Sequence, residues 1–272
     1  TGSLVYTNVT EHVKIGDAPA DFQRLAPSFT VSLQPWQEQL LFLRLMYKST
    51  FRMPTFNDLY YYRLGNRSLR PEKANEYNMG ITWSRSFSSF LNYLSVTVDG
   101  YYNDVTDKIV AFPTTYAWKM ANYGKVHVTG MDATLAAAAS LGKNMVLVVS
   151  GGYTWQKAID LTDATSKSYK DQLPYTPKHS GNVSAVLEMP WVNVGYSIVG
   201  VSERYSMSQN IPENRIDGYM EHTASLSRNF SFRHCKLRLQ AEIINMTDTQ
   251  YDVIKYYPMP GRSWRLTGTI EF

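Results

Sequence analysis

The stretch SWRLTGTIEF, residues 263–272, alternates without a break. Trp264, Leu266, Gly268, Ile270 and Phe272 fall on one side of an extended chain, and Ser263, Arg265, Thr267, Thr269 and Glu271 on the other. A period of two marks a β-strand with two unlike faces. The stretch alone does not say what the apolar face meets, because a strand of a soluble sandwich and a strand of a membrane barrel share the pattern. The same alternation recurs upstream. CKLRLQAEI (235–243) sends Cys235, Leu237, Leu239, Ala241 and Ile243 one way and Lys236, Arg238, Gln240 and Glu242 the other. LLFLRLMYKS (40–49) sets Leu41, Leu43, Leu45 and Tyr47 against Arg44 and Lys48, and LSVTVDGYYN (94–103) sets Leu94, Val96, Val98 and Tyr102 against Ser95, Thr97, Asp99 and Asn103. In TGMDATLAAAA (129–139) small residues blur the period, and a helix over about 131–141 competes with a strand. The β-like flanks favour the strand.

Twelve strands fit, near 3–10, 26–34, 40–50, 75–87, 91–104, 121–139, 143–158, 174–188, 191–204, 217–229, 234–246 and 261–272. Their connections take turns. Short ones fall at QPWQE, SFSS, SLGK, MP and SFRH, and long ones at 11–25, 51–74, 105–120, 159–173, 205–216 and 247–260. In an up-and-down meander every second connection leaves at the same end, so this parity gathers all long loops at one end and all tight turns at the other. Bacterial outer-membrane barrels have that layout, with lipid outside and a watered lumen inside. The expected fold is an all-β, antiparallel transmembrane barrel wall, with its apolar face on lipid and its Arg, Lys, Gln, Glu and Thr face in the lumen.

Composition agrees. The 272 residues show no internal shift that would mark a second domain, and they include 20 Tyr, 6 Trp and 11 Phe, rings that suit both pleated strands and membrane interfaces. The formal charge of +4 is scattered, with no basic block that would point to nucleic acid. Cys235, the single cysteine, excludes an internal disulfide and a cysteine metal cluster. No apolar run is long enough for a transmembrane helix. The first residues, TGSLVYTNVT, lack the pattern of a signal peptide, so the expectation is either a processed start or an internal fragment.

Four segments, in order, resemble the barrel of TonB-dependent outer-membrane receptors. They are FRMPTFNDLYYYRLGNRSLRPEKANEYNMGITW (51–83), YYNDVTDKIVAF (101–112) with NYGKVHVTGMDATL (122–135), LPYTPKHSGNVSA (173–185), and INMTDTQYDVIKYYPMPGRSWRLTGTIEF (244–272). The resemblance covers residues from about 40 to 272. It implies a barrel of about 22 strands filled by an N-terminal plug, which imports scarce metal chelates with energy passed through the plug by the TonB complex. Residues 1–272 would be the C-terminal portion of that barrel, with the plug and the earlier strands elsewhere in the polypeptide. The terminal Phe272 resembles the signal read by the barrel assembly machinery. Among substrate classes a ferric siderophore is the default and cobalamin shares the C-terminal wording. Haem is disfavoured, because residues 53–64 lack the histidine that the haem branch carries there.

Candidate ligand contacts lie in the long loops. They are Tyr60, Tyr61, Tyr62 and Arg63, then Tyr116, Trp118 and Met120, then Tyr205 and Met207, and finally Tyr256, Tyr257 and Met259. Flat rings suit a planar, apolar chelate and Arg63 an anionic one; the competing role for each ring is an interfacial girdle. Arg44, Lys48, Arg238, Glu242 and Arg265 are expected to face the lumen and pair with the plug or each other. Gly65-Asn66 is expected to turn a structural hairpin, with Glu72 as an anchor. No catalytic set, metal site or cofactor is expected. His179 and Ser180 are neighbours that an extended chain sends to opposite faces, and His127, His222 and His234 lack ligand spacing. Two other classes stay open on sequence grounds: a 12-stranded, lipase-like barrel enzyme and a soluble β-sandwich adhesin.

Overall fold

The computed structural model describes residues 1–10, 12, 21–36, 40–88, 90–113, 118–142, 144–233 and 235–271. In chain order its strands are β1 (Gly2–Val9), β2 (Phe22–Leu33), β3 (Leu40–Arg52), β4 (Glu72–Ser86), β5 (Leu91–Pro113), β6 (Trp118–Gly142), β7 (Met145–Asp160), β8 (His179–Glu188) and β9 (Asn193–Val201). There follow β10 (Arg204–Tyr205), β11 (Arg215–Ile216), β12 (Tyr219–Ser231), β13 (Lys236–Ile244), β14 (Asp252–Ile254), β15 (Tyr257–Pro258) and β16 (Ser263–Glu271). Twelve of them form one sheet in the order β1-β2-β3-β4-β5-β6-β7-β8-β9-β12-β13-β16, every pair antiparallel. Among the described residues the sheet is not closed: β1 pairs only with β2, and β16 only with β13. A sandwich needs two packed sheets, so this single long meander disposes of the adhesin alternative.

Residues directly opposite in a ladder share a face, and the register carries one face across the whole wall. Arg44, Gly80, Asp99, Asp132, Thr154 and Ser180 form one polar row. Arg44 Nη2 reaches over Gly80 to Asp99 Oδ1 at 2.9 Å, and the Thr154 hydroxyl donates to Asp132 at 2.6 Å. Hydroxyl pairs continue the polar face at Ser3 and Ser28, Thr82 and Thr97, and Ser84 and Ser95. All five expected lumenal residues stand on it. Arg265 bonds Glu242 at 2.6 Å, while among the described residues neither Lys48 nor Arg238 has a carboxylate partner. The other face is apolar and exposed, with Leu45, Met79, Ile81, Leu135, Val183, Leu226 and Leu266 among its side chains. Leaving so many large apolar groups uncovered across a continuous face is costly in water and natural in a bilayer.

Several boundaries differ from the sequence pattern for physical reasons. Residues 105–113 and 118–120 are wall rather than loop. The β5–β6 ladder runs from Leu91 opposite Ala139 to Pro113 opposite Trp118, so this hairpin stands far taller than its neighbours. The segment 129–139 is strand, as its flanks indicated. β8 begins at His179 rather than near 174, because Pro174 and Pro177 have no N–H to give a ladder. Within 51–74 lies an unexpected helix, α1 (Phe56–Tyr60): the Thr55 side chain accepts from Asp58 N and the Asp58 carboxylate accepts from Thr55 N, a capping box. Gly65 ends this turn instead of making a hairpin. Its N–H donates to Tyr61 O at 2.8 Å, and a Cβ there would lie 2.7 Å from Leu59 and Tyr61 backbone. Glu72 is an anchor as expected, accepting from Ile109 N at 3.0 Å and pairing with Arg52 and Lys108.

Candidate functional site

The long-loop end is a chain of loops tied to one another. Loop 53–71 straps itself to the tall β5–β6 hairpin. Asn66 Nδ2 donates to Met120 O at 3.1 Å, Met120 N donates to Leu64 O at 3.0 Å, and Arg70 pairs with Asp107 at 2.5 Å. Asn122 clamps the same junction, accepting from Arg70 N at 2.9 Å and donating to Arg70 O and Asp107 O. Beneath the strap Leu59, Leu69 and Ile109 form a small buried cluster against Tyr60 and Met120. A second cluster, Val105, Val126, Ala158 and Leu173, pins the loop after β7.

That loop reaches the next. Tyr175 N donates to Tyr205 O at 2.7 Å, and Asn210 N donates to the Asp171 carboxylate at 3.0 Å. The loop between β9 and β12 in turn holds the last one, through Arg204 Nη2 on Asp252 O and Val253 O and through Lys255 Nζ on Glu213 O. Between these two loops opens a cleft of about 330 Å³ lined by Arg215, Asp217, Tyr251, Asp252, Lys255 and Tyr256. Tyr251 stacks on Tyr219 at 3.9 Å with an interplanar angle of 12°, and its hydroxyl donates to Glu221 at 2.6 Å. Burial first, and the Glu221 carboxylate second, push the Tyr251 phenol well above its ordinary range.

The expected ligand residues divide. Tyr60 and Met120 are packing groups of the strap, and Arg67 lies over the Tyr60 ring. Trp118 sits against Tyr175 at 5.8 Å. Tyr205 is in the β10–β11 pair. Tyr61, Tyr62, Tyr256 and Tyr257 are exposed, Tyr256 the most at 82%, with Met207 and Met259 less so. Arg63 lies over the Tyr62 ring with a positive φ of 61°. Of the described residues of the set, only Tyr256 lines the cleft. Arg215, Asp217, Tyr251, Asp252 and Lys255 were missed, although QYDVIKYY (250–257) already crowds charge and rings into eight positions. Tyr116 and Phe272 lie outside the described residues, as does His234.

Among the described residues His179 and Ser180 do not meet. The ring of His179 bonds Tyr153 on the apolar face, while Ser180 stands in the polar row. Among the described residues no group of three or more His, Cys, Asp or Glu is arranged to hold a metal ion. What the loop end offers is a surface of exposed rings with mixed charge, above a wall with one polar face.

Comparison with known proteins gives this surface a family. The family model described as "TonB dependent receptor-like, beta-barrel" matches residues 3–246. The chain belongs to the TonB-dependent receptors. This is an outer-membrane family of receptors and transporters, not enzymes. The chain is 25% identical over 230 residues to the vitamin B12 transporter BtuB of Photobacterium profundum, covering 82% of this chain and 34% of that one. In fold it is similar to the ferric citrate transporter FecA, with a TM-score of 0.71, 15% identity, and coverage of 91% of this chain and 38% of that. It is similar also to the ferric-catecholate import receptor Fiu of E. coli K12, with a TM-score of 0.66, 20% identity, and coverage of 91% and 35%. The chain thus spans about a third of the length of the curated relatives it matches.

Proposed function

We propose that this chain is the C-terminal part of the barrel of an outer-membrane receptor that takes up a metal chelate, a ferric siderophore in the first instance, in a TonB-dependent manner. The observation that carries the reading is the tied loop end, with exposed Tyr61, Tyr62, Tyr256 and Tyr257 above a polar inner wall. Rings at the mouth give a chelate flat contact area, and Arg63 and Lys255 give an anionic one its counter-charge. Lys48 and Arg238, polar-face cations with no carboxylate partner among the described residues, would meet a plug that fills the lumen. That plug and the remaining strands would be supplied by the rest of the polypeptide, and TonB would engage the plug.

A second reading within the family, cobalamin uptake, is favoured by the sequence match to the vitamin B12 transporter. Intrinsic-fluorescence titration of the full-length receptor with a ferric siderophore panel and with cobalamin separates the two. Saturable quenching by one class and not the other assigns the substrate, and quenching by neither sinks the chelate-receptor proposal. Cell fractionation tests the membrane placement independently.

A further inference from the structure

The last loop, residues 247–260, has a rigid base and a middle held by side chains. At the base Asn245, 1% exposed, donates from Nδ2 to Thr249 O at 2.9 Å and to Pro260 O at 3.4 Å, and accepts from Thr249 N at 2.9 Å, so one side chain pins both ends. Asp248 adds a second clamp by accepting from Arg262 N at 2.8 Å. Above this base, among the described residues, no backbone–backbone hydrogen bond joins the loop to the one between β9 and β12. Side chains dock it there instead. Arg204 Nη2 donates to Asp252 O at 2.5 Å and to Val253 O at 3.1 Å, the Tyr251 hydroxyl donates to Glu221, and Lys255 Nζ donates to Glu213 O.

Two of these ties leave a charge without its opposite. Arg204 is 4% exposed, and its Nη1 is buried with no hydrogen-bond partner. Among the described residues no carboxylate pairs with it: Glu203 and Asp217 are taken by Arg215, and the Asp252 carboxylate accepts from Tyr256 N. Glu221 pairs with no cation among the described residues either, its hydrogen bond coming from a phenol. A guanidinium buried without a counter-charge is costly, and a fold that keeps one needs a reason.

Both charges touch the same pair of rings. The register carries the polar row of Thr154 and Ser180 on to Val201 and Tyr219, so Tyr219 and, two residues farther along, Glu221 share the polar face of the wall. The Arg204 guanidinium lies 5.8 Å over the Tyr219 ring, and Tyr251, stacked on Tyr219 at 3.9 Å, reaches Glu221 at 2.6 Å. Residues two apart on a strand stand about 7 Å from one another, a gap that a turning arginine and glutamate span together. What occupies Glu221 is the Tyr251 hydroxyl, a group that belongs to the last loop.

We propose that residues 247–260 form a lid with a docked and a lifted position, and that Arg204 and Glu221 exchange partners between them. Docked, each holds the loop; lifted, they pair with each other. Lifting gives up the two bonds from Arg204 to carbonyls and the one from the phenol, and a doubly charged hydrogen-bonded pair offsets that loss. It also gives Nη1 the acceptor it lacks when docked. Two arrangements of similar energy make a bistable element. The cleft belongs to the docked position, because Tyr251, Asp252, Lys255 and Tyr256 come from the lid while Arg215 and Asp217 come from the facing loop. A molecule that touches both walls therefore draws the lid down, by binding one position and not the other.

The test needs no chelate, so its failure leaves the uptake proposal standing. In the full-length receptor carrying Cys235→Ser, spin labels on cysteines placed at Ile254 in the lid and at Ala164 on the loop after β7, both exposed, report their separation by pulsed electron–electron double resonance. The receptor without further changes is expected to give two separations. Glu221→Gln still offers Tyr251 an acceptor, so it weakens one bond in the docked position but removes a charge pair from the lifted one. It should lower the lifted-to-docked ratio about threefold. Tyr251→Phe removes a docking bond and releases Glu221, and should raise the ratio about fivefold. In an Arg204→Gln background Glu221→Gln should no longer lower it. If Glu221 served only to tie Tyr251, weakening it would loosen the lid, so a ratio raised by Glu221→Gln overturns the inference. So does a lowering of equal size in the Arg204→Gln background, or a single separation in both the parent receptor and Tyr251→Phe.

Discussion

Gly80 lies between the two members of an ion pair that spans three strands, and replacing it should show why it is glycine. Arg44 on β3, Gly80 on β4 and Asp99 on β5 are consecutive in one row, and Arg44 Nη2 lies 2.9 and 3.2 Å from the two Asp99 oxygens. A Cβ on Gly80 would overlap Asp99 Oδ1 and stand 3.1 Å from Arg44 Nη2. Gly80→Ala therefore displaces the pair. The side chains are 41% and 25% exposed, so screening limits the lost attraction to about 0.5–1 kcal/mol. Crowding adds about 1–2 kcal/mol, and the better strand behaviour of alanine returns about 0.5–1 kcal/mol. The net cost should be about 1–2 kcal/mol. In an Asp99→Ala background the obstruction is gone, and the same substitution should be neutral or stabilising by about 0.5 kcal/mol. Guanidinium unfolding of the four full-length receptors in detergent, followed by tryptophan fluorescence, measures the cycle. An equal cost of Gly80→Ala in both backgrounds would refute the idea that the glycine makes room for the bridge.

Other outcomes follow from the loop end. Asn122→Ala removes three hydrogen bonds at the junction of loop 53–71 with β5 and β6, and should loosen that strap by about 1–3 kcal/mol, seen as faster protease cleavage within 53–71 while the wall stays intact. The raised Tyr251 phenol stays protonated in the folded state after an unfolded tyrosine has ionised. Its contribution is thus fully present below about pH 10 and is lost as pH rises toward the folded value, and Tyr251→Phe should flatten the alkaline arm of a stability–pH curve. After Cys235→Ser, cysteine placed at Tyr169 should react with an impermeant thiol reagent on whole cells, as should one at Tyr116, whereas cysteine at Ser88 or Gly142 should not. The reverse labelling would put the loops at the wrong ends. Tyr256→Ala should weaken chelate binding about two- to tenfold, the worth of one ring contact, and unchanged affinity would remove the cleft from the ligand path.

The wall was legible because one rule generates it. Alternation fixes the face of each strand residue, from Leu41 in β3 to Ile270 in β16, and a slip of one residue would exchange the two faces, so the polar rows survive errors of several residues in strand ends. Parity of the connections fixed the order. The tall hairpin was hidden because Asp107 and Lys108 look like loop residues. They extend the ladder beyond the expected membrane span, where exposure to water makes polar side chains harmless. Helix α1 was hidden because five residues are too few for a period, and only Thr55 and Asp58, at capping spacing, signal it. The cleft was least legible of all. Its lining joins 215–217 to 251–256 through backbone contacts of Arg204 and Lys255, and such pairings depend on how two loops lean together rather than on any local pattern.

The free edges bear on what these 272 residues need around them. β1 presents eight residues and β16 nine, each with a ladder partner on one side only. In a bilayer every backbone group left unpaired costs several kcal/mol, so edges of this length are not tolerated facing lipid. Joining β1 to β16 directly would close twelve strands into a barrel far narrower than the similar receptors, and barrel width falls with strand number. The polar row of Arg238, Gln240 and Glu242 would be driven toward the opposite wall, and the lumen would have little room for a plug. Pairing of both edges with further strands of the same receptor satisfies the backbone and keeps the lumen wide. Cysteine pairs should report this: in the full-length receptor no disulfide should form between cysteines placed at Tyr6 and Thr267, mid-strand on the two edges. Efficient crosslinking between them would show a self-contained twelve-stranded barrel, and would return the small-barrel enzyme to consideration.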